Sequence, residues 1–127
     1  MIIGVRGAIC VGADEPEAVR RSSCRLVGEM CAKNGLAEDD IVSIVFSVTE
    51  DLKSANPASC LRGSGFAHTP LFCVQEASTT GSIPRVIRVL LTADKDPPGG
   101  ASAGQARKST VHVYLDGAEN LRPDLGS

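Results

Sequence analysis

The amino-acid sequence predicts an α/β or α+β subunit, a five-stranded sheet with helices over one face. Three observations carry this: five short apolar runs rich in β-branched residues, one long stretch of helical periodicity, and one short segment opened by a proline. At 127 residues the chain is a single domain by size, spanning 1–127. A core of that length buries roughly two-thirds of the unfolded surface, so independent folding is feasible.

The first strand covers about 2–10, with Gly4 and Gly7 where another backbone can approach closely. Asp14 then reads as a helix N-cap, with Pro16 in the first turn and Glu17 completing a capping box. The helix runs to about Lys33, carries an apolar stripe of Val19, Leu26, Val27, Met30 and Cys31, and stops at Asn34-Gly35. Its arginines, Arg20, Arg21 and Arg25, form a solvated face. After the acidic turn Glu38-Asp39-Asp40 a second strand spans 41–49. Pro57 opens a short helix through Arg62 that ends at Gly63 and Gly65. A third strand spans 71 to about 76, Thr79-Thr80-Gly81 forms a loop, and the fourth strand is 86–92. Residues 94–109 are rich enough in Pro, Gly and Ser to predict a mobile connector. A fifth strand at 110–115 precedes the C-terminal tail, 116–127. Helices on one face leave the other uncovered, and its simplest partner is a second copy of the chain.

A net charge of −2 and 3% aromatic residues argue against nucleic-acid binding, which needs a basic field and stacking platforms. No apolar stretch approaches the ~20 residues of a membrane span, and Gly4 and Arg6 interrupt any leader at the start. Five cysteines, an odd number with no Cys-x-x-Cys pair, and two histidines do not match a zinc site; reduced thiols and a cytoplasmic location are expected. Gly63-x-Gly65 lacks the spacing of a dinucleotide loop, and neither His68 nor His112 stands in a known nucleophile–base context.

Arg88 lies in the middle of the most apolar strand, sharing a face with Val86, Leu90 and Thr92. Its charge cannot be removed, and burying it unpaired is very costly, so an anion must meet it. A protein carboxylate such as Glu76 is the plain candidate and an anionic ligand the sharper one. Arg6, Arg62 and Arg122 also fall near strand ends and loops, and Cys73, Glu76 and Tyr114 stand on strands that can line the same face. Several arginines without a nucleophile suit a small polyanion held by paired hydrogen bonds and processed by electrostatics alone.

The segments Gly4-Val5-Arg6-Gly7-Ala8, Asn56-Pro57-Ala58-Ser59-Cys60-Leu61-Arg62, Cys73-Val74-Gln75-Glu76, Ile87-Arg88-Val89, Val113-Tyr114-Leu115 and Leu121-Arg122-Pro123-Asp124-Leu125 occur in that order. In this the chain resembles the monofunctional chorismate mutases of the trimeric, barrel-like α/β class. The resemblance covers nearly the whole chain. It implies an α+β fold, a five-stranded mixed sheet with one long and one short helix that trimerises into a barrel-like assembly. It further implies the rearrangement of chorismate to prephenate, sites between adjacent subunits of a homotrimer, and neither metal nor organic cofactor. By the same resemblance Arg88 would donate to the ether oxygen and a carboxylate, and Arg6 would grip a carboxylate. Glu76 and Cys73 would meet the ring hydroxyl, and Tyr114 a carboxylate. Arg62 and Arg122 would attract the dianion at the mouth, with Leu121 beside them.

Three departures stand out. Asn56 and Ser59 occupy positions where family members often carry an aromatic residue and a lysine, and the 94–109 connector is long. Strict alternation also puts Cys73 and Glu76 on opposite faces unless a bulge or strand end intervenes near Gln75. Two rival functions remain: a non-catalytic binder of chorismate-like anions, and an enamine/imine deaminase of similar trimeric architecture. The deaminase signature Ala-Arg-x-x-Val finds only an offset echo in Ala106-Arg107, with Val111 one residue late.

Overall fold

The computed structural model describes residues 1–121, the side chain of Pro98 apart. The tail Arg122-Pro123-Asp124-Leu125, with the binding role expected of Arg122, lies outside the described residues. In chain order come β1 (Ile2–Cys10), α1 (Pro16–Lys33), β2 (Ile41–Val48), α2 (Pro57–Arg62), β3 (Leu71–Gln75), β4 (Val86–Asp94), α3 (Ala103–Ser109) and β5 (Val113–Leu115). Short 3-10 turns occupy 38–40, 98–100 and 118–121.

The strands form one five-stranded sheet in the order β3-β2-β4-β1-β5. It is mixed: β4 runs antiparallel to β1 and β2, whereas β5 and β3 run parallel to β1 and β2 respectively. The register separates the residues into two faces. Val5, Leu91, Ile44 and Leu71 lie in one row toward the helices, as do Gly7, Val89, Phe46 and Cys73 in the next. Val19, Leu26, Val27 and Met30 of α1 and Ala58 and Leu61 of α2 pack onto those rows and complete the main core. At Gly7 the side chains of α1 lie directly against the strand backbone. A Cβ there would stand 2.4 Å from the Met30 sulfur and 3.2 Å from Leu26 Cδ1, so only glycine leaves room for both.

Three local expectations change. Asp14 does not cap α1: Glu15 is the N-cap and makes no side-chain cap bond. The Asp14 carboxylate instead accepts from the backbone N–H groups of Lys53 and Ser54 at 3.0 and 2.9 Å; the Ser54 side chain first, and then these backbone donors, hold it below the usual carboxylate range. Glu17 is drawn to Arg20 one turn along the helix. Residues 94–109 are not without structure, because α3 forms inside them. Ser102 accepts from Gln105 N–H and the Gln105 side chain accepts from Ser102 N–H, a reciprocal cap on an Ala-Gly-Gln-Ala-Arg-Lys run. β5 starts at Val113 rather than 110. Thr110 bonds back to Ala106 of α3, and Val111 pairs with the Asn34 side chain at the end of α1.

Candidate active site

The sheet face away from the helices carries the charged residues. One row crosses all five strands as Val74, Ser47, Arg88, Ala8 and Tyr114, and the adjacent row holds Phe72, Val45, Leu90 and Arg6. Ala8 is the small residue between Arg88 and Tyr114. A cleft of about 260 Å³ opens in this region, lined by Arg6, Ala8, Ser47, Arg88, Leu90 and Tyr114. A second hollow of about 200 Å³ lies on the other side of Arg88, with Glu76, Ile83 and Leu121 in its wall. Arg88 therefore stands between two recesses.

Arg88 is not buried within the subunit, as its strand had suggested; the guanidinium side chain is 44% exposed, because among the described residues α1 and α2 both pack on the other face. Its Nε lies 3.3 Å from Glu76 Oε2, which is the plain partner expected for it. Glu76 Oε2 meets the Nε edge of the fork, and among the described residues the two terminal nitrogens make no hydrogen bond. They remain available to an anion in the cleft. Arg6 is exposed on the same face, and its backbone N–H donates to His112 Nδ1 at 3.0 Å, which seats the imidazole against β1. Tyr114 is nearly buried in a small second core with Ala8, Val86 and Ala118, and Leu121 packs at its edge. The 118–121 turn thus roofs one end of the face and positions both Tyr114 and Leu121.

Cys73 and Glu76 do fall on opposite faces. β3 ends at Gln75 without a bulge, and the Glu76 N–H still donates to Val48 O at 2.7 Å, continuing the ladder. Glu76 follows Phe72 and Val74 onto the open face. Cys73 sits beside Phe46 and packs on the main core, and desolvation raises its thiol above the ordinary range. Within one subunit its side chain does not reach the Arg88 cleft, so a place for that thiol at the same hydroxyl as Glu76 requires that it come from another subunit. Arg62 is likewise apart: it ends α2, in the helix layer, exposed to solvent.

The site also contains a residue with no counterpart among the sequence candidates. Ser47 donates to Glu76 Oε2 at 2.5 Å from β2. Among the described residues no group of three or more His, Cys, Asp or Glu is placed to hold a metal ion. No described helix is long and apolar enough to cross a membrane.

Comparison with known proteins converges on one group. The family model described as chorismate mutase type I matches residues 2–125. The chorismate mutase AroH of Thermus thermophilus is 41% identical over 128 residues, covering 100% of this chain and 98% of the relative. AroH of Bacillus subtilis is 36% identical over 126 residues, with 98% and 93% covered. Among solved structures, a chorismate mutase from Clostridium thermocellum superposes with a TM-score of 0.83 at 37% identity, covering 93% of this chain and 98% of that one.

Proposed function

The chain belongs to the chorismate mutase type I family and is an isomerase that rearranges chorismate to prephenate; from that premise we propose that the reaction takes place in the cleft beside Arg88. The observation that carries this reading is the Arg88 guanidinium, anchored at one edge by Glu76 and open at the other toward a recess shared with Arg6 and Tyr114.

The chemistry fits such a site. In the [3,3] shift a C–O bond breaks while a C–C bond forms, within one molecule and without proton transfer or a bond to the enzyme. The protein must hold a flexible dicarboxylate in its compact chair-like conformer and stabilise the negative charge that grows on the ether oxygen. Arg88 donates to that oxygen and to a neighbouring carboxylate. Arg6 grips a carboxylate, and the Tyr114 hydroxyl donates to one. Glu76 accepts from the ring hydroxyl while fixing the Arg88 fork. Leu121 closes the apolar end, and Arg122 serves to attract the dianion.

The assembly is a homotrimer with each site completed by a neighbouring copy. Two features support it. The open face exposes Phe72 at 63% and Leu90 at 51%, with Val45 and Val74 beside them, an apolar surface that another copy would cover. Arg62 and Cys73 lie across the sheet from Arg88, so a role for either at the substrate requires that they come from a different subunit. The location is cytoplasmic. The family assignment leaves the deaminase reading without support, and the relatives' activity favours turnover over mere binding.

The test is chorismate consumption, followed by its loss of absorbance, for wild type beside Arg88→Ala. Turnover by wild type and its collapse in the variant are expected. An active wild type with an equally active Arg88→Ala moves the reaction out of this cleft. Tight binding of a bicyclic dicarboxylate transition-state mimic without turnover selects the non-catalytic binder.

A further inference from the structure

Resting on the assignment of the Arg88 cleft, we propose that Ser47 is a positioning residue for the rearrangement: its hydroxyl fixes the Glu76 carboxylate, which aims Arg88 and leaves one carboxylate oxygen open to substrate. β2 reads Ile-Val-Ser-Ile-Val-Phe-Ser-Val, and Ser47 is a polar residue in a position surrounded by apolar ones. Its neighbours on the open face are Val45, Val74 and Leu90 in addition to Arg88. Packing with another copy would favour valine there, so the hydroxyl needs its own explanation.

The register supplies one. Ser47 is directly opposite Arg88 on β4 and Val74 on β3, and Glu76 follows Val74 by two residues, returning to the same face. Ser47 Oγ donates to Glu76 Oε2 at 2.5 Å, and the same oxygen lies 3.3 Å from Arg88 Nε. One carboxylate oxygen is thereby committed to both partners. The other, Oε1, makes no hydrogen bond among the described residues. Glu76 stands just past the end of an edge strand on a flexible side chain, with a backbone bond holding only its main chain. With the ion pair alone, the carboxylate could rotate about the Arg88 Nε contact and exchange its oxygens. The hydroxyl bond sets that rotation and with it the direction of the free oxygen and of the guanidinium fork. Such a preorganised donor acts on the barrier rather than on uniform binding.

The experiment measures steady-state chorismate turnover and thermal unfolding for wild type, Ser47→Ala, Ser47→Thr, Glu76→Gln and the Ser47→Ala/Glu76→Gln double variant. Ser47→Ala lowers kcat about tenfold, the loss of one hydrogen bond to a charged group, with KM little changed. Ser47→Thr, which keeps the hydroxyl, restores most of the rate. The double variant is no slower than Glu76→Gln alone, because Ser47 acts through that carboxylate. Should Ser47→Ala unfold early, Ser47→Val against Ser47→Thr makes the same comparison at matched shape. An active wild type with undiminished kcat in Ser47→Ala overturns the proposal and spares the site assignment. So does a Ser47→Ala loss that persists undiminished in the Glu76→Gln background, since Ser47 would then act on its own. A wild type that leaves chorismate unchanged overturns the site assignment and this proposal together.

Discussion

On β4, Ile87, Val89 and Leu91 face the helices and are buried, while Arg88 and Leu90 between them face away with 44% and 51% exposure. The same alternation runs through β1, where Val5, Gly7 and Ile9 point inward and Gly4, Arg6 and Ala8 outward. The inner face meets its partners within the chain: α1 and α2 cover it with a core of apolar side chains, among which the buried Ser23 of α1 bonds back to Val19 O. Among the described residues the outer face is only partly roofed, by the 118–121 turn over Ala8, Val86 and Tyr114. A single sheet therefore specifies folding with one set of alternate residues and chemistry with the other. Changes on the inner face should register in stability, and changes on the outer face in rate or assembly.

Arg88→Ala tests that division most severely. It should lower kcat/KM by about 10²–10³-fold or more, by analogy with the loss of one preorganised oxyanion donor, and leave the thermal unfolding of the chain nearly unchanged. Arg88→Lys should also be poor, because an ammonium cannot reproduce the planar fork. A variant that loses activity only because it melts early would show that the outer face also carries the fold. Leu90→Asp, one step along the same strand face, addresses assembly. In the proposed trimer it would remove up to about 1.5–3 kcal/mol of apolar burial at the interface and place a charge there. Light scattering should show the mass falling from trimer to monomer with the circular dichroism of the subunit retained. An undiminished mass would mean that this surface meets no second copy.

The existence of the five strands and their two faces were legible because alternation is local, although β5 begins three residues later than its composition implies: Arg6, Arg88 and Tyr114 each declare their side from near neighbours. Partners set by pairing between distant segments were not. Ser47 meets Glu76 across 29 residues of chain, and Asp14 is diverted from its helix by backbone donors 39 and 40 residues away. Neither register can be read along one strand. The helix at Ala103–Ser109 is a different case, for Ser102 and Gln105 form a local capping pair. The density of Pro and Gly just before it outweighed that signal. Arg88 itself looked buried because its strand is apolar in both directions, and strand composition does not reveal how many faces of a sheet are covered.

Two glycines of β1 sharpen the contrast. Gly7 faces α1, and a methyl group there would overlap Met30 and crowd Leu26, both fully buried. Gly7→Ala should therefore lower the unfolding free energy by about 1–3 kcal/mol, as overpacking does, while the folded fraction keeps its kcat. Gly4 faces outward, where the nearest atom to a new Cβ is Leu90 Cδ1 at 3.9 Å. Gly4→Ala should change stability by no more than about 0.5 kcal/mol. Urea unfolding of the pair measures both. Equal costs would mean that the faces do not differ in packing as their register implies.

Asn56 gives the smallest effect and bears on which side of the sheet it serves. The family resemblance implied an aromatic residue at this position, and asparagine there implied a more polar wall to the pocket. Its side-chain oxygen accepts from Ala58 N–H at 2.9 Å and caps α2, so that oxygen is committed to the helix layer. Asn56→Ala should cost about 1 kcal/mol of stability through the lost cap, and Asn56→Asp, which keeps an acceptor, much less. If the cap is its role, both variants retain wild-type kcat/KM below their melting temperatures. If Asn56 also touches substrate held by a neighbouring copy, KM for chorismate rises in Asn56→Ala, and more steeply in Asn56→Asp, whose added negative charge repels a dianion.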